Sequence, residues 1–181
     1  MERHRIAVDA PPDVTLAAAR DVRLDDSPII RLVFRVRELV MGAGRAERDS
    51  ATLEAQMRAI GWGVLDEIPG RAVVFGAVTV PWEPNPVFRP LPPDAFASFD
   101  EPGLVRIAWT LRADASADGR SIFRTETRAH PTDTAARARF RRYWAFVSPG
   151  VWTIRRLMLG PVKREAERRW RMMQAASDVV H

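Results

Sequence analysis

The chain has no cysteine, which excludes disulfides, cysteine-ligated zinc, iron–sulfur clusters and thiol nucleophiles together. Histidine is scarce as well. His4, His130 and His181 lie far apart and form no metal-ligand spacing, so neither a metal nor a cofactor is expected. Glycine-rich phosphate loops are missing: Gly42-Ala43-Gly44 meets Glu47 where a third glycine should stand, and Gly61-Trp62-Gly63 meets Asp66. No serine lies in a Gly-x-Ser-x-Gly elbow. No apolar run reaches about 18 residues and no basic-then-apolar leader opens the chain, so the reading is a cytoplasmic protein without a membrane span.

What is present is the profile of one globular domain: 181 residues, 46% hydrophobic and 28% charged. Residues 1–176 read as that domain and 177–181 as a short tail. The net charge is only +5, yet the isoelectric point is about 10.9. Lys163 is the sole lysine and Tyr143 the sole tyrosine, so little titrates between histidine and arginine and the isoelectric point exaggerates the field. Location matters more. Residues 137–171 hold ten arginines and Lys163 against Glu165 and Glu167, which makes one end of the molecule strongly positive.

Along the chain, Ile6 and Val8 alternate in a first strand over residues 4–9, stopped by Pro11 and Pro12. Pro12 and Asp13 suit a helix start, giving a short helix toward Asp21. Ser27 and Pro28 suit another, with Ile29, Ile30, Val33, Phe34 and Val36 at helical spacing to about Val40. Residues 41–50 read as a glycine-bearing connector. Leu53, Met57 and Ile60 predict an amphipathic helix closed by Gly61, a possible lid. Residues 62–68 and 71–80 predict a hairpin turning at Pro69-Gly70. Five prolines between 82 and 93 confine any strand there to a sheet edge, and 93–99 looks like one or two helical turns. The clearest strand is 104–112, where Val105, Ile107, Trp109 and Leu111 alternate with polar residues. Asp118-Gly119 turns the chain into a strand over 121–130. A long helix follows from Thr132 or Asp133, with a kink or restart expected at 148–150 and again at 160–161.

This order of elements resembles the SRPBCC superfamily, which includes START lipid-transfer domains, the birch-pollen allergen group and polyketide cyclases. The likeness is carried by residues 4–14 with their Ala10-Pro11-Pro12 turn, by the strand pair over 103–128, and by the helix from 132 through Arg141-Arg142-Tyr143-Trp144 to 158. It implies an α+β helix-grip fold: a curved antiparallel sheet wrapped around a long C-terminal helix, with two short helices after the first strand. It also implies a cavity between sheet and helix for an apolar or amphipathic molecule. It does not imply catalysis, because the superfamily shares no catalytic residue. The proline-dense 82–93 segment and the glycine connector with its extra helix depart from the plain scaffold.

The residues expected to line such a cavity are Phe75, Ile107, Trp109, Phe123 and Trp144, with Thr110, Thr125 and Thr127 as polar anchors; an ordinary filled core is the competing reading. Glu126, between Arg124 and Arg128 on one strand face, reads as a solvent-side ion-pair residue, or as a catalytic acid if the register is reversed. His130, before Pro131, reads as a solvated turn residue or a general base. In the basic segment 154–173, Ile154, Leu157, Met158, Val162, Ala166, Trp170 and Met173 form one stripe. This helix can pack on its own domain, sit on an anionic membrane, or meet a protein partner or nucleic acid. Nucleic acid is disfavoured because no base-reading module accompanies the charge. The expected function is binding or transport of a hydrophobic small molecule such as a lipid or polyketide-like compound. The alternatives are a cyclase, aromatase or hydratase in the same cavity, and peripheral attachment through the basic helix. The oligomeric state is left open by the sequence.

Overall fold

A computed structural model of the chain describes residues 2–22 and 52–178. The helix expected over 28–40 and the connector over 41–50 lie outside the described residues. Strand β1 (Glu2–Val8) leads through Pro11 into helix α1 (Pro12–Asp21), where Pro12 supplies a helix-compatible φ at a position that needs no amide proton. Helix α2 (Leu53–Ala59) is capped by the Thr52 hydroxyl, which accepts from the Ala55 amide. Strands β2 (Gly63–Ile68) and β3 (Ala72–Thr79) form the expected hairpin, with Gly70 at a φ of 68° in the turn. A two-turn helix α3 (Pro93–Ser98) precedes β4 (Val105–Ala115) and β5 (Ser121–Pro131), which are joined through Asp118 and Gly119, both in the left-handed region. Helix α4 (Thr134–Asp178) completes the fold.

The five strands among the described residues form one antiparallel sheet in the order β1-β5-β4-β3-β2, open at both edges. With α4 along one face, this is an α+β architecture consistent with a helix-grip arrangement. The proline-dense segment adds only a single bridge, Arg89 to Val78, which extends the β2 edge as the proline count predicts.

Alternation divides the sheet into two chemically distinct faces. On the inner face, Phe75, Trp109 and Thr127 fall side by side in register, as do Val73, Leu111, Thr125 and His4. Leu16, Ala18 and Ala19 of α1 and Met158, Leu159, Val162 and Ala166 of α4 close over this face to make the core. Buried Thr15 and Ser121 share a 2.8 Å hydroxyl contact that ties α1 to β5. Arg20 reaches from α1 to both Glu54 and Glu67, which fixes α2 and the hairpin against it. Those two carboxylates raise the Arg20 pKa still further.

Helix α4 starts beside the end of β5, capped by Asp133, whose carboxylate accepts from the Ala136 amide at 2.7 Å. It runs back along the sheet to the opposite end, where polar clamps hold it. Lys163 Nζ donates to the Ala7 carbonyl at 2.9 Å, the Asp9 amide donates to Glu167 at 3.1 Å, and Arg169 pairs with Asp21 at 2.8 Å. The helix is unbroken through Pro149 and Pro161, where the sequence predicts a kink or restart, and no restart occurs. Each proline forfeits one helical hydrogen bond, but at Pro161 the neighbours Leu159 and Val162 are buried in the core, and tertiary packing outweighs local propensity.

Candidate functional site

The inner sheet face and α4 approach each other unevenly. Ala136 is buried at the start of the helix and Met158, Leu159, Val162 and Ala166 are buried in its second half. None of the described side chains from 137 to 157 is fully buried. That stretch is about 30 Å of helix at 1.5 Å per residue. Its sheet-side stripe is apolar and half-buried: Phe140, Trp144, Val147 and Val151. Trp144 stacks on Phe140 with centroids 5.6 Å apart. Opposite this end of the helix the inner face carries small or half-buried groups, Ala77, Ile107 and Ala129, in one cross-strand row.

The residues expected at a cavity divide into three sets. Phe75 and Phe123 are completely buried in the packed core, and Trp109 joins them with its ring 6.3 Å from Phe75. The Trp109 indole donates to Thr125 Oγ1 at 2.6 Å, so this pair satisfies itself inside the core. Thr127, Ile107 and Trp144 sit toward the looser end. The Thr127 hydroxyl is buried with no hydrogen-bond partner, as is that of Thr79 two rows further along the same face. Each is a polar group costing free energy until something bonds to it. Thr110 does not share this interior: strand alternation turns it to the outward face, where it pairs across strands with Glu126.

Both ionisable candidates also face outward. Glu126 pairs with Arg3 across the strands at 2.7 Å and with Arg128 along its own strand at 2.5 Å, as the solvent-side reading predicts. Desolvation is the largest single influence and pushes its pKa up, but the two guanidiniums together hold it below the ordinary carboxylate value. His130 is exposed at the end of β5, its pKa lowered first by desolvation and then by Arg106 and Arg137. Neither group lies on the face that meets α4. Among the described residues no group of three or more histidine or carboxylate side chains is placed to hold a metal, and no helix is long and apolar enough to cross a membrane.

The middle of the stripe in the basic segment packs on its own domain, whereas Met173 at its end is exposed. Met158, Val162 and Ala166 are core residues, and Trp170 packs partly against them. The large apolar side chains left exposed on α4 are instead Phe146, 69% exposed, and Trp152, 48%, followed near the C-terminus by Met172 and Met173.

Two recesses lie on the outer surface of the described residues. One, of about 530 Å³, lies between α1 and α2 around Arg20 and Glu54. The other, of about 550 Å³, lies on the outward sheet face among Arg3, Arg5, Thr110, Arg112, Arg124 and Glu126. Sequence reasoning missed this second group because alternation shows which arginines point outward but not which ones stand opposite each other. No protein-family model matches this chain, and no curated protein matches it.

Proposed function

We propose that the protein binds a hydrophobic small molecule, of the lipid or polyketide-like class, between the inner sheet face and the first half of α4, in the manner of SRPBCC carriers. The observation that carries this reading is the contrast along α4: the described side chains of 137–157 contribute none to the core, while the second half is clamped by buried side chains and ion pairs. A half-buried aromatic stripe facing small side chains suits an apolar guest. The unpaired Thr127 and Thr79 hydroxyls supply hydrogen-bonding positions for its polar end. A binding or carrier role fits better than catalysis, because Glu126 and His130 face away.

Native mass spectrometry of the purified protein, together with titration by the neutral apolar dye Nile red, tests the proposal. A retained apolar guest or a saturable dye site, weakened by Ile107→Trp, is the expected result. Protein that is empty and binds no dye overturns it.

A second reading, attachment to an anionic membrane, is favoured by one specific feature. From 134 to 164 the sequence holds Arg137, Arg139, Arg141, Arg142, Arg155, Arg156, Lys163 and Arg164 and no carboxylate. Phe146 and Trp152 are exposed within this cationic run, and the Arg156 guanidinium lies 5.4 Å from the Trp152 ring centroid. Exposed rings flanked by arginines match an interfacial helix face. Sedimentation with phosphatidylserine-containing vesicles should fall sharply for Phe146→Ser/Trp152→Ser. Equal binding by that double variant, or binding to DNA but not to vesicles, rejects the reading.

A further inference from the structure

The outward face of the sheet, which the proposed guest would not touch, carries a separate charged recess. We propose that this recess binds a compact anion bearing two or more phosphate groups. Strand register sets Arg5 of β1, Arg124 of β5 and Arg112 of β4 side by side in one cross-strand row, all three exposed. Like charges placed directly opposite each other destabilise a sheet. The compensation inside the chain is incomplete. Arg112 and Arg124 share the single carboxylate of Asp114, at 2.5 and 2.9 Å, while Arg5 makes no ion pair among the described residues. On the other side of the row, Glu126 is already held by Arg3 and Arg128. The recess is therefore lined by four arginines against two carboxylates, with the Thr110 hydroxyl between them.

The spacing selects the ligand. Cross-strand neighbours have Cβ atoms about 5 Å apart, so the three arginines are rooted over about 10 Å, a base broad enough for their guanidiniums to grip a diphosphate or triphosphate at more than one phosphate group. Guanidinium forks match phosphate oxygens two at a time. A volume of about 550 Å³ suits a small molecule. A nucleic-acid strand fits less well: among the described lining residues only His4 carries a ring, which meets Trp152 edge-on at 6.2 Å, and Asp114 and Glu126 bracket the arginine row.

Isothermal titration at low ionic strength with inorganic tripolyphosphate, orthophosphate and a single-stranded DNA oligomer tests this. One tripolyphosphate should bind per chain, at least about tenfold more tightly than orthophosphate, and Arg5→Gln and Arg124→Gln should each weaken it about tenfold, the loss of one charge-assisted contact. Arg168→Gln, on the helix covering the opposite face, changes the net charge equally and should leave the affinity unchanged. Arg5→Gln breaks no ion pair among the described residues, and its circular dichroism melt should match that of the parent. Unaltered affinity in both recess variants, equal weakening by Arg168→Gln, absence of saturable binding, or tighter binding of the DNA oligomer overturns the proposal.

Discussion

Trp109 and Thr125 lie on neighbouring strands of the inner face, and the indole Nε1–H donates to the threonine hydroxyl at 2.6 Å with both groups buried. Thr125→Val keeps the shape but removes the acceptor, and a buried donor left without it costs about 1 to 3 kcal/mol. Urea denaturation should register that loss, and Thr125→Ser, which keeps the hydroxyl, should recover part of it.

Thr127 makes the opposite case one row away. Its hydroxyl is buried and bonds to nothing among the described residues, so Thr127→Val should be neutral or stabilising by up to about 1 kcal/mol in the unliganded protein. If the same hydroxyl anchors a guest, dye or lipid affinity should fall while the melting temperature holds or rises. A destabilised Thr127→Val protein would show that the hydroxyl is satisfied after all.

Gly61 joins α2 to β2 at a φ of 94°, and a Cβ there would run into the Phe88 carbonyl oxygen. Strain and steric overlap together put the cost of Gly61→Ala at about 2 to 4 kcal/mol. The Trp62–Phe88 ring contact beside it, 5.4 Å between centroids, should loosen too, with a shift in tryptophan emission as its signature.

Acid should weaken the fold in a defined window. Arg168 and Arg169 hold Glu165 down to about 2, Arg20 holds Glu54 below its ordinary value, and the Ala136 and Gly103 amides do the same for Asp133. Because these folded-state values are depressed, the unfolded chain binds more protons below about pH 4.5. The stabilisation is thus complete above that pH and lost progressively toward pH 2. Urea midpoints should decline only slightly from pH 7 to 5, where the unfolded chain takes up the His130 proton before the folded one does, and fall more steeply below, with a shallower acid fall in Glu165→Gln.

Much of this architecture is legible in the chain because burial imposes a period. The alternation around Trp109 places β4, the Pro69-Gly70 pair places the hairpin turn, and Asp133 serves as the cap of α4. Prolines mislead where the sequence is read locally: Pro149 and Pro161 predict breaks, but α4 runs through both, and at Pro161 core contacts of Leu159 and Val162 hold it. Thr110 illustrates a different limit. Its neighbour Trp109 faces the core, so period alone turns Thr110 outward, and a hydroxyl's fitness as a polar anchor says nothing about which face carries it. The arginine row needed register, which arises from pairing among three strands distant in sequence and is written in none of them singly.

The edge strand β1 finds its sole strand partner among the described residues in β5, with Ser121 opposite Val8. During synthesis the first strand must therefore wait for more than a hundred further residues to emerge, on the order of 5 to 20 s at ordinary elongation rates. Until then the apolar flank of Ile6 and Val8 lacks its sheet neighbour, and loop closure over that span is slow. Nascent chains of this protein thus keep that flank open to chaperones until β5 has emerged, and closure of the β1 edge is a late step in the assembly of the sheet.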